Sequence, residues 1–198
     1  MTGIILAGGK STRLGAAKAL LRFGDETFLE RAVSAVRPLC RQIIVVSAPG
    51  SSPPELDGCV MVEDEKPGLG PLGGLVTGLA ISDDEWHLTL ACDLPLVRPE
   101  MLKLIVAEAS GAEAVVPRAG GRLQPLLAAY SRACLSPARV ATDSGRRAMR
   151  AMLDLVRVKI IEEARLREVD PELISFTNVN TWDEYQELSQ REQRQCGR

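Results

Sequence analysis

Short apolar runs rich in β-branched residues recur along the chain at Gly3–Ala7, Ile43–Val46, Leu88–Ala91 and Ala114–Val116. They are too short for helices and lack the alternation of a strand with one wet face, which marks strands buried on both faces. Helical signals lie between them. Thr27 and Glu30 frame a capping box, and Phe28, Ala32, Val33, Ala35, Val36 and Leu39 fall on one face of the helix it opens. Leu75–Ile81 reads as a helix entered through Gly73 and Gly74. Pro99 suits the first turn of a helix over Glu100–Ala109, and Thr181–Glu184 is a second capping box opening a C-terminal helix. Arg132–Leu155 is helical in pattern, with a break at Asp143–Gly145, and Val60–Val62, Leu126–Tyr130 and Val156–Ile161 read as further strands. Such alternation predicts an α/β fold: a Rossmann-like, doubly wound, mainly parallel sheet with helices on both faces. No repeat or long linker interrupts it, so residues 1–190 read as one domain and 191–198 as a polar C-terminal tail.

Composition narrows the function. The formal net charge is -2, so no surplus of Lys and Arg exists to neutralise a nucleic-acid backbone. No apolar stretch is long enough for a membrane span, and MTGIILAGG is a strand entering a loop rather than a signal peptide, so a cytoplasmic protein is expected. The cysteines Cys40, Cys59, Cys92, Cys134 and Cys196 include no C-x-x-C pair, which argues against a disulfide framework or a structural zinc site. His87 is the one histidine, so a histidine-dependent hydrolase would have a single candidate base.

In a doubly wound sheet, ligands bind beyond the carboxyl ends of the strands. The loop after the first apolar run holds Gly8, Gly9 and Gly15 with the cations Lys10, Arg13 and Lys18. Glycines let successive main-chain N–H groups approach an anion, and three cations around such a nest fit a triphosphate. The loop is not a P-loop, because Ile4 stands where that motif needs glycine. Nor is it the dinucleotide fingerprint, because Gly8 and Gly9 are adjacent. Asp93 follows the run Leu88–Ala91 and precedes Pro95. A lone carboxylate on a stiffened turn at a strand's end is placed to ligate Mg²⁺ against triphosphate oxygens. Asp64 ends another strand, before a stretch with four glycines and two prolines up to Gly74 that reads as a shaped loop.

LAGGKSTRLGAAK resembles the signature L-A-G-G-x-S-x-R-M/L-G-x-x-K of nucleotidyltransferases that activate sugars and cofactors, which share the nucleotide-diphospho-sugar transferase fold. Within that superfamily the chain is most similar to the molybdenum cofactor guanylyltransferases. Cys92–Pro95, Gly70–Gly74, Gln124–Leu126 with Tyr130, and Phe176–Thr181 match the family's segments in order. The resemblance implies that Leu6, Ala7, Gly8 and Gly9 hold GTP through main-chain groups and that Lys18 contacts its phosphates, with Arg13 assisting. It adds Ser47, Asp64, Gly70, Pro71, Leu72 and Gly74 to the nucleotide wall and makes Asp93 the Mg²⁺ aspartate. Ala17, Ser47 and Trp182 depart from the family's usual aspartate, asparagine and proline.

The acceptor implied by the resemblance is the phosphate of molybdenum-molybdopterin. Asn178 and Asn180, at alternate positions of an extended segment, point the same way and would complete the metal shell or hold that phosphate. Gln124 and Pro125 fall near the acceptor pocket, and Arg118, Arg122, Arg146 and Arg147 are candidates for an anionic acceptor. Partners are then GTP and molybdenum-molybdopterin, with room for transient contact with other cofactor-biosynthesis proteins or recipient apoenzymes, and no nucleic acid or membrane. Two rival readings remain: a cytidylyl or sugar-phosphate transferase of the same superfamily, and a nucleotide sensor without turnover. The cytidylyl relatives more often read L-A-A-G than the L-A-G-G found here.

Overall fold

In the computed structural model, which describes residues 1–8, 18–51, 53–64 and 68–196, the apolar runs become strands of one sheet. Strand β1 (Thr2–Leu6) is followed by a small ribbon, β2 (Arg22–Phe23) and β3 (Glu26–Thr27), and by helix α1 (Phe28–Val36). Next come β4 (Gln42–Ser47), β5 (Cys59–Glu63), α2 (Gly70–Ile81), β6 (Trp86–Ala91) and α3 (Pro99–Ala107). The chain continues through β7 (Ala114–Ala119), β8 (Arg122–Leu123), β9 (Leu127–Ser131), α4 (Leu135–Asp143) and α5 (Met149–Leu153). It ends in β10 (Val158–Ile161), α6 (Glu163–Arg167) and α7 (Trp182–Cys196).

The sheet order is β10-β7-β9-β6-β1-β4-β5, with β8 paired to β7. Strand β9 runs antiparallel to β6 and β7, whereas the other pairs along this path are parallel. Side chains alternate across the sheet: Ile5, Ile43 and Val45 pack with α1, α3 and α6, while Ile4, Ile44 and Val46 pack with α2, α4 and α5. The doubly wound, mainly parallel architecture is therefore present. Pattern reading had not indicated the antiparallel strand, because a short apolar run carries no sign of its direction. A third cluster, Leu21, Phe23, Phe28, Val179 and Leu188, seats α7 on the ribbon. Among the described residues, no helix is long and apolar enough to cross a membrane.

One expectation fails. Gly70–Gly74 is not a loop preceding a helix at Leu75; the helix starts at Gly70. Pro71 sits in the first turn, where its missing N–H breaks no intrahelical bond. The later glycines serve packing: a Cβ on Gly78 would lie 2.7 Å from Ile4 Cγ2, and one on Gly74 3.0 Å from Leu6 Cδ2. Helix α2 can thus lie close on β1 because Gly74 and Gly78 present no side chain to Leu6 and Ile4. Glycine content that looks like a loop is here the requirement of a helix–sheet contact.

Candidate active site

Strands β1, β4, β5 and β6 are parallel, so their carboxyl ends share one edge. The Leu6 carbonyl accepts the Cys92 N–H at 3.2 Å, and the Ala7 N–H donates to the Val46 carbonyl at 2.8 Å. A Cβ on Gly8 would lie 3.2 Å from the Ala48 nitrogen, so the two loops run against each other there. Gly9, Lys10, Arg13, Gly15 and Ala17 lie outside the described residues.

Lys18 opens a 3-10 turn over Lys18–Leu20. Its Nζ donates to Asp93 Oδ2 at 3.2 Å and to Asn180 Oδ1 at 2.8 Å. Residues far apart in the chain thus meet on one cation. Asp93 Oδ1 is buried and, among the described residues, has no hydrogen-bond partner. A carboxylate oxygen left so is costly, and its shell has room for a further donor or a ligand. The turn that presents Asp93 is braced from both sides. Arg31 Nε donates to the Pro95 carbonyl at 3.2 Å, and the Val179 N–H donates to the Asp93 carbonyl at 3.0 Å.

Val179 is buried in the cluster under α7, and that burial turns Asn178 and Asn180 outward. The second capping box is formed: the Thr181 N–H donates to Glu184 Oε2 at 3.0 Å, and the Glu184 N–H donates to Thr181 Oγ1 at 3.2 Å. Glu184 Oε2 also accepts the Asn180 N–H at 2.6 Å. That bond, then those to Thr181, with Lys18 nearby, hold the Glu184 carboxyl below its ordinary range despite partial desolvation. Sequence reading found the box but not the bond to Asn180, which lies one residue outside the motif.

Other expected nucleotide residues lie around this group. Ser47 ends β4 with its hydroxyl donating to the Val62 carbonyl at 3.3 Å. Asp64 Oδ1 accepts Thr77 Oγ1 at 3.1 Å, and its carboxylate packs on Gly73, where a Cβ would approach to 2.8 Å. Gly70, Pro71, Leu72 and Gly74 form the first turns of α2, with Leu72 and Gly74 buried, so from those two a ligand would meet main chain rather than side chain. Two reactive residue types are silent here. Burial, then the neighbouring Asp93 carboxylate, pushes the Cys92 thiol up to about 12, so it is no thiolate nucleophile. His87 is buried, burial lowers its pKa, and its Nδ1 lies 3.4 Å from the Tyr130 carbonyl.

On the other side of Asp93, the Ala91 N–H donates to the Leu126 carbonyl at 2.9 Å, which ties the Gln124–Leu126 stretch to the same loop. The Gln124 side chain donates to the Ala119 carbonyl at 3.3 Å, and the Pro125 carbonyl accepts the Tyr130 hydroxyl at 2.7 Å. Pro125 lines a cleft of about 810 Å³ together with Arg118, Arg122, Arg150, Leu123 and Leu153. No acidic residue lines it among the described residues. Glu162 pairs with Arg118 and Asp154 with Arg150, each at 3.0 Å, from outside the lining. Arg118 and Arg122 were expected on this side and Arg150 was not; Arg146 pairs with Asp154 at 3.7 Å, and the Arg147 carbonyl lies over Gly70.

Known proteins share this arrangement of strands and loops. The MobA-like NTP transferase domain family matches residues 3–160. A molybdenum cofactor guanylyltransferase of Desulfosudis oleivorans is 35% identical, covering 93% of this chain and 92% of its own. Among solved structures, molybdopterin-guanine dinucleotide biosynthesis protein A of Archaeoglobus fulgidus has the same fold, with a TM-score of 0.82 and 24% identity over 98% of this chain and 100% of that one. The Rv0371C protein of Mycobacterium tuberculosis H37Rv, solved in complex with manganese, has a TM-score of 0.67 and 21% identity over 96% of this chain and 97% of that one. By the match of its domain and the likeness of its full-length relatives, the chain belongs to the MobA-like NTP transferase family.

Proposed function

We propose that the protein transfers GMP from GTP to the phosphate of molybdenum-molybdopterin, releasing pyrophosphate and forming the guanine dinucleotide cofactor. The observation that carries this reading is the meeting of Asp93 and Asn180 on Lys18 Nζ, beside a buried Asp93 oxygen that lacks a partner among the described residues. Membership of the family supports nucleotidyl transfer, and the relatives' names support guanine and the molybdenum cofactor.

In this reading GTP lies along Leu6, Ala7, Gly8 and Gly9, walled by Ser47, Asp64 and the first turn of α2, whose N–H groups and positive end favour phosphate. Asp93 would hold a divalent ion, Mg²⁺, beside the triphosphate. Among the described residues no group of three or more His, Cys, Asp or Glu gathers to bind a metal, so phosphate and water would fill the remaining positions, as Mg²⁺ prefers. The manganese in the Mycobacterium tuberculosis neighbour supports a divalent ion. When bound, the ion supplies positive charge to the triphosphate.

An acceptor phosphate oxygen attacks the α-phosphorus in line, the bridging bond to the β-phosphate breaks, and its electron pair leaves on pyrophosphate. Lys18, with Arg13, steadies the charge on the phosphoryl oxygens. The acceptor phosphate is already ionised near neutral pH, so no strong base is required. Asn178, Asn180, Gln124 and Pro125 receive the acceptor, and the arginine cleft suits its anionic body. Residues 1–190 act as one cytoplasmic nucleotidyltransferase domain, in transient contact with cofactor-biosynthesis proteins or recipient apoenzymes.

The test is metal-dependent pyrophosphate release from labelled GTP with purified molybdenum-molybdopterin, which should fall at least about tenfold when CTP replaces GTP. Nucleotide binding without release, or thermal stabilisation by CTP above GTP, overturns the reading.

A further inference from the structure

Behind the site lies a carboxylate that the transfer reaction does not use. Asp170 is fully buried. Its Oδ2 accepts the Ser175 N–H at 2.8 Å, while Oδ1 lies 3.5 Å from Arg98 Nε and makes no hydrogen bond among the described residues. A charge removed from water with so few donors is a poor source of net stability. Its contacts nevertheless converge. The Arg98 N–H donates to Ser175 Oγ at 3.0 Å. Between Asp170 and Ser175, Leu173 takes a left-handed backbone with φ 56°, a conformation that costs a leucine about 1 kcal/mol. Its N–H donates to the Asp170 carbonyl at 2.9 Å, and its own carbonyl accepts from Phe176 at 3.1 Å.

Arg98 closes the loop that carries Asp93, and Ser175 opens the segment that carries Asn178 and Asn180. These two strips meet again at their other ends, where the Val179 N–H reaches the Asp93 carbonyl and Lys18 reaches Asn180. We propose that Asp170 is a positioning residue: by clasping Arg98 and Ser175 it fixes the register of segment 175–180 against loop 93–98, and so sets Asn178 and Asn180 relative to Asp93 and Lys18. Its effect on catalysis rests on reading those asparagines as acceptor contacts.

Asp170→Asn keeps the size and removes the charge. In the free protein, amide exchange at Ser175 and Val179 should rise at least about tenfold while β1 and β4 stay protected. The acceptor KM should rise about tenfold, with the GTP KM within about twofold of the parent. In a background with both Asn178→Ala and Asn180→Ala the same change should add no more than about a further twofold, because the side chains it positions are already gone. Unchanged exchange at Val179, equal loss toward both substrates, or losses that multiply would overturn the proposal. Ser175→Ala, which removes only the oxygen that accepts from Arg98, should give the same acceptor-selective pattern at smaller size and serves if Asp170→Asn does not fold. A parent protein without acceptor-dependent release would remove the proposed function, while the exchange measurement still decides the clasp.

Discussion

Strand β6 has an aspartate two residues before its start and another two residues after its end, and the two are built in opposite ways. Asp84 at the amino end is buried and surrounded by donors. Thr2 Oγ1 donates to it at 2.7 Å, Arg41 Nε at 3.2 Å, and a second Arg41 nitrogen reaches the other oxygen. The Thr2 hydroxyl and, against the opposing effect of burial, the Arg41 guanidinium hold its carboxyl well below the ordinary range. Asp93 at the carboxyl end has one oxygen on Lys18 and the other buried with no partner among the described residues. A completed donor shell makes a carboxylate part of the scaffold. An incomplete one leaves it free to take a further donor or ligand, and the strand order puts that one at the edge where the loops converge.

The largest expected effect tests the open end. Asp93→Asn should lower turnover by about 10³-fold, while stability stays within about 1 kcal/mol of the parent because no complete shell is lost. Steady-state kinetics and chemical denaturation of the same preparation report both. The reverse holds at the closed end. Asp84→Asn should cost about 2 kcal/mol and leave turnover of the folded protein within about twofold. Turnover losses of equal size at both ends would erase the distinction.

The closed end also predicts a pH dependence. The folded Asp84 carboxyl is more acidic than its unfolded value of 3.8. Its contribution is therefore complete above about pH 5 and fades as the pH drops toward the folded value. The stability curves of the parent and Asp84→Asn should converge on acidification from about pH 5 to pH 2. Curves that stay parallel would mean that the charge of Asp84 is not what the shell stabilises.

An intermediate effect is expected midway between the two ends, where Gly78 meets Ile4. A methyl group there would press on a fully buried, β-branched side chain with little freedom to turn. Overpacking of about 2 kcal/mol, less about 1 kcal/mol from alanine's better helix propensity, leaves Gly78→Ala destabilised by about 1 kcal/mol. Because Gly78 lies on neither edge, KM values should not move. This variant is the control for whether loss of stability alone imitates either aspartate.

How much of this was legible in the sequence follows from the range of each interaction. The strands β1, β4 and β6 and both capping boxes could be read because their signals lie within a few neighbouring residues. Asp93 could be found because an apolar run and a proline flank it. Asp84 looks equally acidic and equally near the same run, yet its shell comes from Thr2, Arg41 and the Met1 amino group, which sequence spacing does not bring together. The start of α2 was misread for a related reason: Gly74 and Gly78 answer to Leu6 and Ile4 on another element. The Asp170 clasp and the arginine cleft likewise depend on contacts across the fold.

The smallest effect sharpens the comparison at the open end itself. Glu184 accepts from the Asn180 and Thr181 main chain and is exposed, so it is a brace rather than a ligand. Glu184→Gln keeps an acceptor oxygen but loses the charge that its lowered pKa reflects. The cost in stability should be about 0.5 kcal/mol, since exposed charge pairs and caps are weakly coupled to folding. That contribution is present above the ordinary glutamate value of 4.5 and lost as the pH falls below it, so the variant should match the parent in acid. The acceptor KM should rise by about twofold, since Asn180 keeps its side chain but loses part of its anchorage. An increase as large as that for Asn180→Ala would mean that the carboxylate itself meets the acceptor, and the open end would then hold two acidic groups rather than one.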